Sequence, residues 1–239
     1  MTDLHKMTGA EIAPAISFVE YQRLLQIPRS HEMEGAILER AEGARDWYRN
    51  HGAPFVASVR TEISEIAAPS IRLTNRVELS SRRLAQRLRS GEAHALMVLL
   101  ASAGTEVAEE VARHWAEERP DEAFFLDRFA VAVTEHLVHT ASRLLCRSSQ
   151  PHDETLLPHL SPGCGNWDIA DQHKLMALLA EDSNRIGPVE LLPSGALHPQ
   201  HSILAAMGVT HMTFDTTPKD ICRSCDLAGC NFRRAPMDP

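Results

Sequence analysis

No stretch of this 239-residue chain approaches the roughly twenty consecutive apolar residues that a membrane-spanning helix requires. Basic residues are outnumbered: 24 Lys and Arg face 32 Asp and Glu, which leaves a net charge of −8 and a pI near 5.9. Neutralising phosphates takes clustered Lys and Arg, so general nucleic-acid binding is excluded, and the short basic stretch from Arg82 to Arg89 reads as a solvated helix face. Aromatic residues make up only 5%, yet 44% of the chain is hydrophobic, which is the balance of a globular protein with a large core, in one big domain or two small ones. The chain shows no internal repeat and no low-complexity segment. The start, Met1-Thr-Asp-Leu-His, has neither the basic nor the apolar region of a signal peptide, so a cytoplasmic location is expected. Thiols stay reduced there, which favours cysteines as ligands over structural disulfides.

Cysteine is scarce, five in all, and three of the five crowd into one tail: Cys222-Arg-Ser-Cys225-Asp-Leu-Ala-Gly-Cys230. Two thiols separated by two residues turn toward one ion, and a third, after the flexible Gly229, closes the same site. The spacing is first a metal or iron–sulfur pattern; a reversible disulfide and chance clustering are the plainer readings. Three thiolates leave one coordination position for Cys164, Cys146, a histidine such as His211, or an outside group. Both a labile cluster and a structural zinc are compatible with such a set.

Periodicity divides the rest. Apolar residues at three- and four-residue spacing predict helices over 12–25 and 31–49, with a break at Pro28-Arg-Ser. A short alternation follows at Phe55-Val-Ala-Ser-Val and again at Ser64-Glu-Ile, then a charged helix over 80–88 that ends at Ser90-Gly91. His94 to Ser102 reads as a buried strand. The turn Ala103-Gly104-Thr105 opens a helix over 106–119, with Thr105 as candidate N-cap, and a long helix over 121–146 carries an apolar face. Strand, glycine turn and helix in that order suggest an α/β layer. Turn formers fill 147–166, a helix follows over 168–179, and a Gly- and Pro-rich strand and turn lies at 186–199. Ser202 to Val209 and His211-Met-Thr-Phe read as strand.

Several of these segments, taken in order, resemble a known family. Ser161-Pro-Gly-Cys-Gly-Asn-Trp167, Asp171-Gln-His-Lys-Leu175, Ile186-Gly187 and Leu191-Leu-Pro-Ser-Gly-Ala-Leu-His-Pro199 are similar to the activation domain of cobalamin-dependent methionine synthase, and more closely to its stand-alone relatives that end in a cysteine cluster. Ala101-Ser-Ala-Gly104 resembles the family's strand and glycine turn, and Asp127 to Glu135 its Asp-Ala-x-Ala-x-Ala-x-x-Glu helix. The resemblance spans about residue 90 to the end.

The resemblance implies an α+β fold: a helical N-terminal part, and a twisted, mainly antiparallel sheet flanked by helices. It divides the chain into a helical region at 1–80, an activation-domain-like core at 81–215 and a cysteine-rich metal-binding tail at 216–239. It also implies a function, the reactivation of a corrinoid methyltransferase by reductive methylation of cob(II)alamin with S-adenosylmethionine. The cobalamin is carried by a partner protein, and the resemblance leaves room for an electron donor and for relay of its electron through a metal or iron–sulfur centre in the tail; a zinc there would be structural only. The ligand positions that match are Glu135, Pro162, Gly163, Cys164, Ser194 and Ala196, with S-adenosylmethionine expected between the long helix and the turn at 162–164. The metal ligands are Cys222, Cys225 and Cys230, with Cys164 as a fourth. The chain departs from the pattern too. His159 and its neighbours stand where the family has Arg, Cys164 replaces Tyr, Leu192-Pro193 replaces Thr-Glu, and Ser202-Ile-Leu-Ala205 replaces Ser-Val-Ser-Gly. Two other classes therefore stay open: a diverged non-catalytic metal- or cofactor-binding protein, and a scaffold or regulator whose C-terminus is stapled by zinc.

Overall fold

The computed structural model describes residues 3–28, 30–149, 153–164, 166–180 and 186–212, leaving aside the side chains of 147–149. Its centre is β5 (Ala95–Ser102), the apolar run that sequence marks as a buried strand, and all eight of its residues are buried. Because side chains alternate across a strand, β5 feeds two cores at once. Met97, Leu99 and Ala101 face one cluster, while Leu96, Val98 and Leu100 face the other. The long β2 (Phe55–Ala67) pairs antiparallel along one edge of β5, and β9 (Ser202–Thr210) along the other. β3 (Ser70–Leu73) and β4 (Glu78–Ser80) extend the sheet beyond β2, β1 (Asp3–Lys6) pairs with the first part of β2, and β6 (Thr155–Leu156) lies outside β9. Every pairing in this seven-stranded sheet is antiparallel. A register shift in β2 between Ile63 and Glu65 curls the sheet so that Ile71, Leu73 and Leu79 fold onto the second core.

The first core is helical. α1 (Gly9–Ile12), α2 (Phe18–Leu24), α3 (Gly35–His51), α5 (Thr105–Ala116) and α6 (Pro120–Ser149) cover one face of the sheet. Tyr21 and Tyr48 flank Phe129 of α6 at ring separations of 5.1 and 5.6 Å, and each buried hydroxyl finds a carbonyl, of Phe125 at 2.6 Å and Ala103 at 2.7 Å. α4 (Arg82–Ser90) and α7 (Asp171–Ala180) lie on the other face. Between α7 and β9 the chain makes a small hairpin of β7 (Glu190–Leu191) and β8 (Leu197–His198).

The α+β architecture expected from sequence is observed. Strands on both sides of residue 80, β1 to β4 and β5, β6 and β9, share one sheet. The α/β layer suggested by the strand–turn–helix order is not formed, because α5 leads into α6 rather than into a parallel strand. The predicted helix at 12–25 is interrupted: Pro14 sits in a 3₁₀ turn, and Ser17 starts α2 afresh by accepting the Glu20 N–H at 3.2 Å. Thr105 is not an N-cap but the first residue of α5; Gly104 takes the cap position at φ +103°, where a side chain would meet the Ala53 carbonyl oxygen at 3.0 Å. β9 stops at Thr210, so His211 and Met212 lie beyond the strand. No helix among the described residues is long and apolar enough to cross a membrane.

Candidate functional site

The turn at 161–167 is anchored from below by Trp167 and Asp171. Trp167 is almost fully buried, and its indole N–H donates to Asp171 Oδ2 at 2.8 Å. The same oxygen accepts the Ser80 N–H at 2.8 Å, which ties the start of α7 to the end of β4. With its base fixed, the turn closes on itself: Gly163 N–H donates to the Trp167 carbonyl at 2.8 Å and Trp167 N–H to the Cys164 carbonyl at 3.1 Å. Pro162 is buried, whereas Gly163 and Cys164 are exposed. Gly163 has φ +88°, and the nearest neighbour of a side chain there would be Ile169 Cδ1 at 3.9 Å, so the turn presents bare backbone to an open side.

Ile169 joins this turn to the β7–β8 hairpin. Gly195, at φ +84°, packs so closely that a Cβ there would lie 3.3 Å from Ile169 Cγ1. The hairpin tip is held by Leu192 and Ala196, whose backbones bond at 2.9 Å, and by Ser194 Oγ, which accepts the Ala196 N–H at 3.3 Å. Ile169 thus lies between Gly163 of the turn, the chain neighbour of Pro162 and Cys164, and Gly195 of the hairpin, the chain neighbour of Ser194 and Ala196. Two buried polar atoms at this place find no hydrogen-bond partner among the described residues: Ser161 Oγ and Gln172 Oε1. A buried polar atom without a partner is costly unless a ligand or water satisfies it, so these two atoms are candidates for a ligand contact. Sequence reading did not place either among the site residues, although Gln172 falls in the matched Asp-Gln-His segment; its lack of a partner is a property of the fold alone.

Glu135 belongs to α6, which packs on the helical face of the sheet, whereas the 161–167 turn packs against the other core through Leu160 and Trp167. The Glu135 carboxylate meets Arg23 Nη2 of α2 at 2.5 Å, in a half-buried ion pair across the helical layer. Cys164 is exposed and forms no disulfide among the described residues; Cys222, Cys225 and Cys230 lie outside them.

Two further clusters carry charge. A groove of about 590 Å³ between α3, α5 and α6 is lined by Arg40, Trp47, Glu110, Arg113 and His114, but none of the sequence-derived ligand residues reaches it. Its charges are already paired, Arg113 with Glu110 and Glu117 at 2.6 Å each and Arg40 with Asp121 at 3.0 Å. At one end of the sheet, His94, Glu154 and His211 converge beside Arg60. The Arg60 guanidinium, bonded to both carboxylate oxygens, holds the Glu154 carboxyl down to about 2, with His94 assisting and burial opposing.

No protein-family model and no curated protein matches the chain in sequence. In structure, it superposes on the MetH reactivation domain bound to AdoHcy with a TM-score of 0.66, over 94% of this chain and 84% of that one, at 10% identity. The curled antiparallel sheet with its helical layer is thus the fold of that reactivation domain.

Proposed function

We propose that the chain reactivates a corrinoid methyltransferase, transferring a methyl group from S-adenosylmethionine to reduced cobalamin held by a partner protein. The observation that carries this reading is the correspondence with a reactivation domain along almost the whole chain, in a structure of that domain that holds AdoHcy, the product left when S-adenosylmethionine gives up its methyl group. The chemistry asks little acid–base catalysis of the protein. One electron from an outside reductant converts cob(II)alamin to cob(I)alamin; the cobalt then attacks the methyl carbon, the C–S bond breaks onto sulfur, and a Co–C bond forms. The sulfonium is already an activated leaving group, so the protein's task is to hold donor and acceptor in line.

The turn at 161–164 and the hairpin at 192–198 suit the donor's site. Backbone at Gly163 allows close approach, Ser161 Oγ and Gln172 Oε1 offer unspent hydrogen-bonding capacity, and Cys164 and Ser194 stand at the rim with Ala196. Without the Arg, Tyr and Thr-Glu of the family pattern, S-adenosylmethionine is expected to bind more weakly than in the parent domain; even a dissociation constant of about 1 mM corresponds to only about 4 kcal/mol. Glu135, ion-paired with Arg23, is proposed to set its negative charge near the ligand's ammonium or sulfonium. Cys222, Cys225 and Cys230, with Cys164 as a fourth ligand, are proposed to hold a zinc ion or iron–sulfur cluster, the latter relaying the electron.

The departures at Cys164 and Leu192-Pro193 favour a second reading, a binding protein that keeps the fold without turnover. One experiment separates the two. Anaerobically purified full-length protein is mixed with a corrinoid methyltransferase in the cob(II)alamin state, a strong reductant and S-adenosylmethionine, and the visible spectrum is followed. Reactivation yields methylcobalamin and an equal amount of AdoHcy, only when reductant and S-adenosylmethionine are both present. Spectra that stay at cob(II)alamin while calorimetry detects S-adenosylmethionine binding support the second reading; the absence of both conversion and binding refutes the assignment of the ligand site.

A further inference from the structure

His94, Glu154 and His211 are far apart in sequence and adjacent in space because of strand register. His94 immediately precedes β5, Glu154 immediately precedes β6, and His211 immediately follows β9. β5 and β6 both run antiparallel to β9, on its two edges, so the start of β5, the start of β6 and the end of β9 fall at one end of the sheet. Backbone bonds lock that end: His94 N–H donates to the Val209 carbonyl at 3.0 Å, and Thr155 Oγ1 to the Met212 carbonyl at 2.6 Å. One ligand atom from each of the three side chains lies within 4.8 Å of the others.

We propose that these three side chains form a binding site for a single divalent transition-metal ion of the zinc or cobalt class. Two histidines and one glutamate are the protein ligands of many open, three-ligand zinc sites, in which solvent takes the fourth position. The donor atoms are prepared for it. His211 Nδ1 lies 3.1 Å from the Asp153 carbonyl, which can only accept, so Nδ1 carries the proton and Nε2 keeps its lone pair. That arrangement is the usual outer support of a metal-bound histidine. His94 Nε2 faces Glu154 Oε1 at 2.8 Å, and Arg60 Nη2 donates to the same oxygen at 3.0 Å while lying 3.3 Å from the ring nitrogen. A cation between Nε2 and Oε1 takes the place of the hydrogen bond between them, with both atoms as lone-pair donors. Glu154 Oε2 stays with Arg60 Nη1 at 2.6 Å, which holds the carboxylate in place as a second-shell partner does.

The geometry needs only a small adjustment. Two atoms each about 2.1 Å from one ion lie roughly 3–3.5 Å apart, so the 2.8 Å contact opens slightly and the exposed His211 ring turns inward. The two imidazoles already stack, with centroids 4.7 Å apart and planes 13° from parallel. The nearby Arg60 charge weakens the site, which places its affinity below that of a Cys-rich zinc centre. This site is independent of the reactivation proposal and of the cysteine tail.

The test uses full-length protein carrying Cys222→Ser, Cys225→Ser and Cys230→Ser, so that tail thiolates do not compete, and titrates it with Co²⁺ while the visible absorption is followed. One equivalent should bind, with ligand-field bands and no thiolate-to-cobalt charge transfer, and Zn²⁺ should displace it. His211→Ala, at an exposed position outside the strands, should weaken Co²⁺ binding by at least about tenfold with the circular dichroism unchanged. His94→Ala should act in the same direction. Failure of the serine background to bind Co²⁺, or an identical titration with His211→Ala, overturns the proposal.

Discussion

Replacing Asp171 tests whether one buried carboxylate really organises the candidate ligand loops. Its Oδ2 accepts both the Trp167 indole N–H and the Ser80 backbone N–H at 2.8 Å, while Oδ1 pairs with Lys174 at 2.7 Å. Asp171→Ala leaves the buried Trp167 indole N–H and the part-buried Ser80 N–H without an acceptor, at about 1–3 kcal/mol for the first and less for the second, whereas the half-exposed Lys174 pair contributes less than about 1 kcal/mol. Because the donors share one oxygen, the costs do not simply add, and a total of about 3–5 kcal/mol is expected, a large part of the stability of a typical domain. Asp171→Asn keeps one oxygen for Trp167 and Ser80 but sets an amide against Lys174, so its cost should be only about 1–2 kcal/mol. Urea denaturation followed by circular dichroism gives both values. The local consequence is read from S-adenosylmethionine binding: since Trp167 closes the Gly163–Cys164 turn through two backbone bonds, Asp171→Ala should weaken binding even under conditions where it remains folded. A loss below about 1 kcal/mol for alanine, or equal losses for alanine and asparagine, would refute the anchoring argument.

Glu154 gives a pH signature. Arg60 holds its folded-state value near 2 against an ordinary 4.5, so its contribution is complete above pH 4.5 and disappears as pH falls toward 2. The drop from 4.5 to about 2 sets an upper bound of about 3.4 kcal/mol, and screening at the partly exposed Arg60 reduces this to about 1–2 kcal/mol. In the presence of a chelator, the stability gap between wild type and Glu154→Gln should close over that window; a gap independent of pH contradicts the ion-pair account. Gly208→Ala probes the packing of β9, because a Cβ there would lie 2.7 Å from Leu157 Cδ1 and Leu88 Cδ2. It should cost about 1–3 kcal/mol, partly recovered by adding Leu157→Val, and thermal denaturation of the double mutant cycle checks the coupling.

What sequence makes legible here depends on whether neighbours in the chain or neighbours in space decide the outcome. β5 is legible because its apolar run, bounded by Gly91 and Gly104, is buried on both faces and needs no partner to be recognised. β2 is longer than its two visible fragments suggest: from Arg60 onward it is mostly exposed or half-buried, and only pairing with β5 and β3 makes that stretch strand. The ligand loops are legible as an ordered series of motifs, but Ile169, which joins them, is a single apolar residue in a polar turn and carries no periodic signal. Glu135 has the right place in its helix motif, yet its partner Arg23 stands 112 residues earlier, and that contact exists only once α2 lies on α6. The His94, Glu154 and His211 cluster shows no spacing motif at all, since strand register rather than sequence separation assembles it.

The fold and the site therefore respond differently to divergence. A sheet of this kind asks mainly that β5 and β9 alternate apolar residues between two cores and that a few positions stay small, conditions many sequences meet, which is how the architecture persists at 10% identity. A methyl-donor site asks for particular groups at particular points, and at the proposed site Cys164 and Leu192-Pro193 depart from the resembled pattern at exposed positions outside both cores. Both substitutions are exposed or half-buried on turns, where the fold exerts little constraint and a ligand or a metal exerts most of it. On the proposed reading, the chemistry is decided at the turns on either side of Ile169, and the thiol of Cys164 is the group whose effect on S-adenosylmethionine decides between reactivation and binding alone.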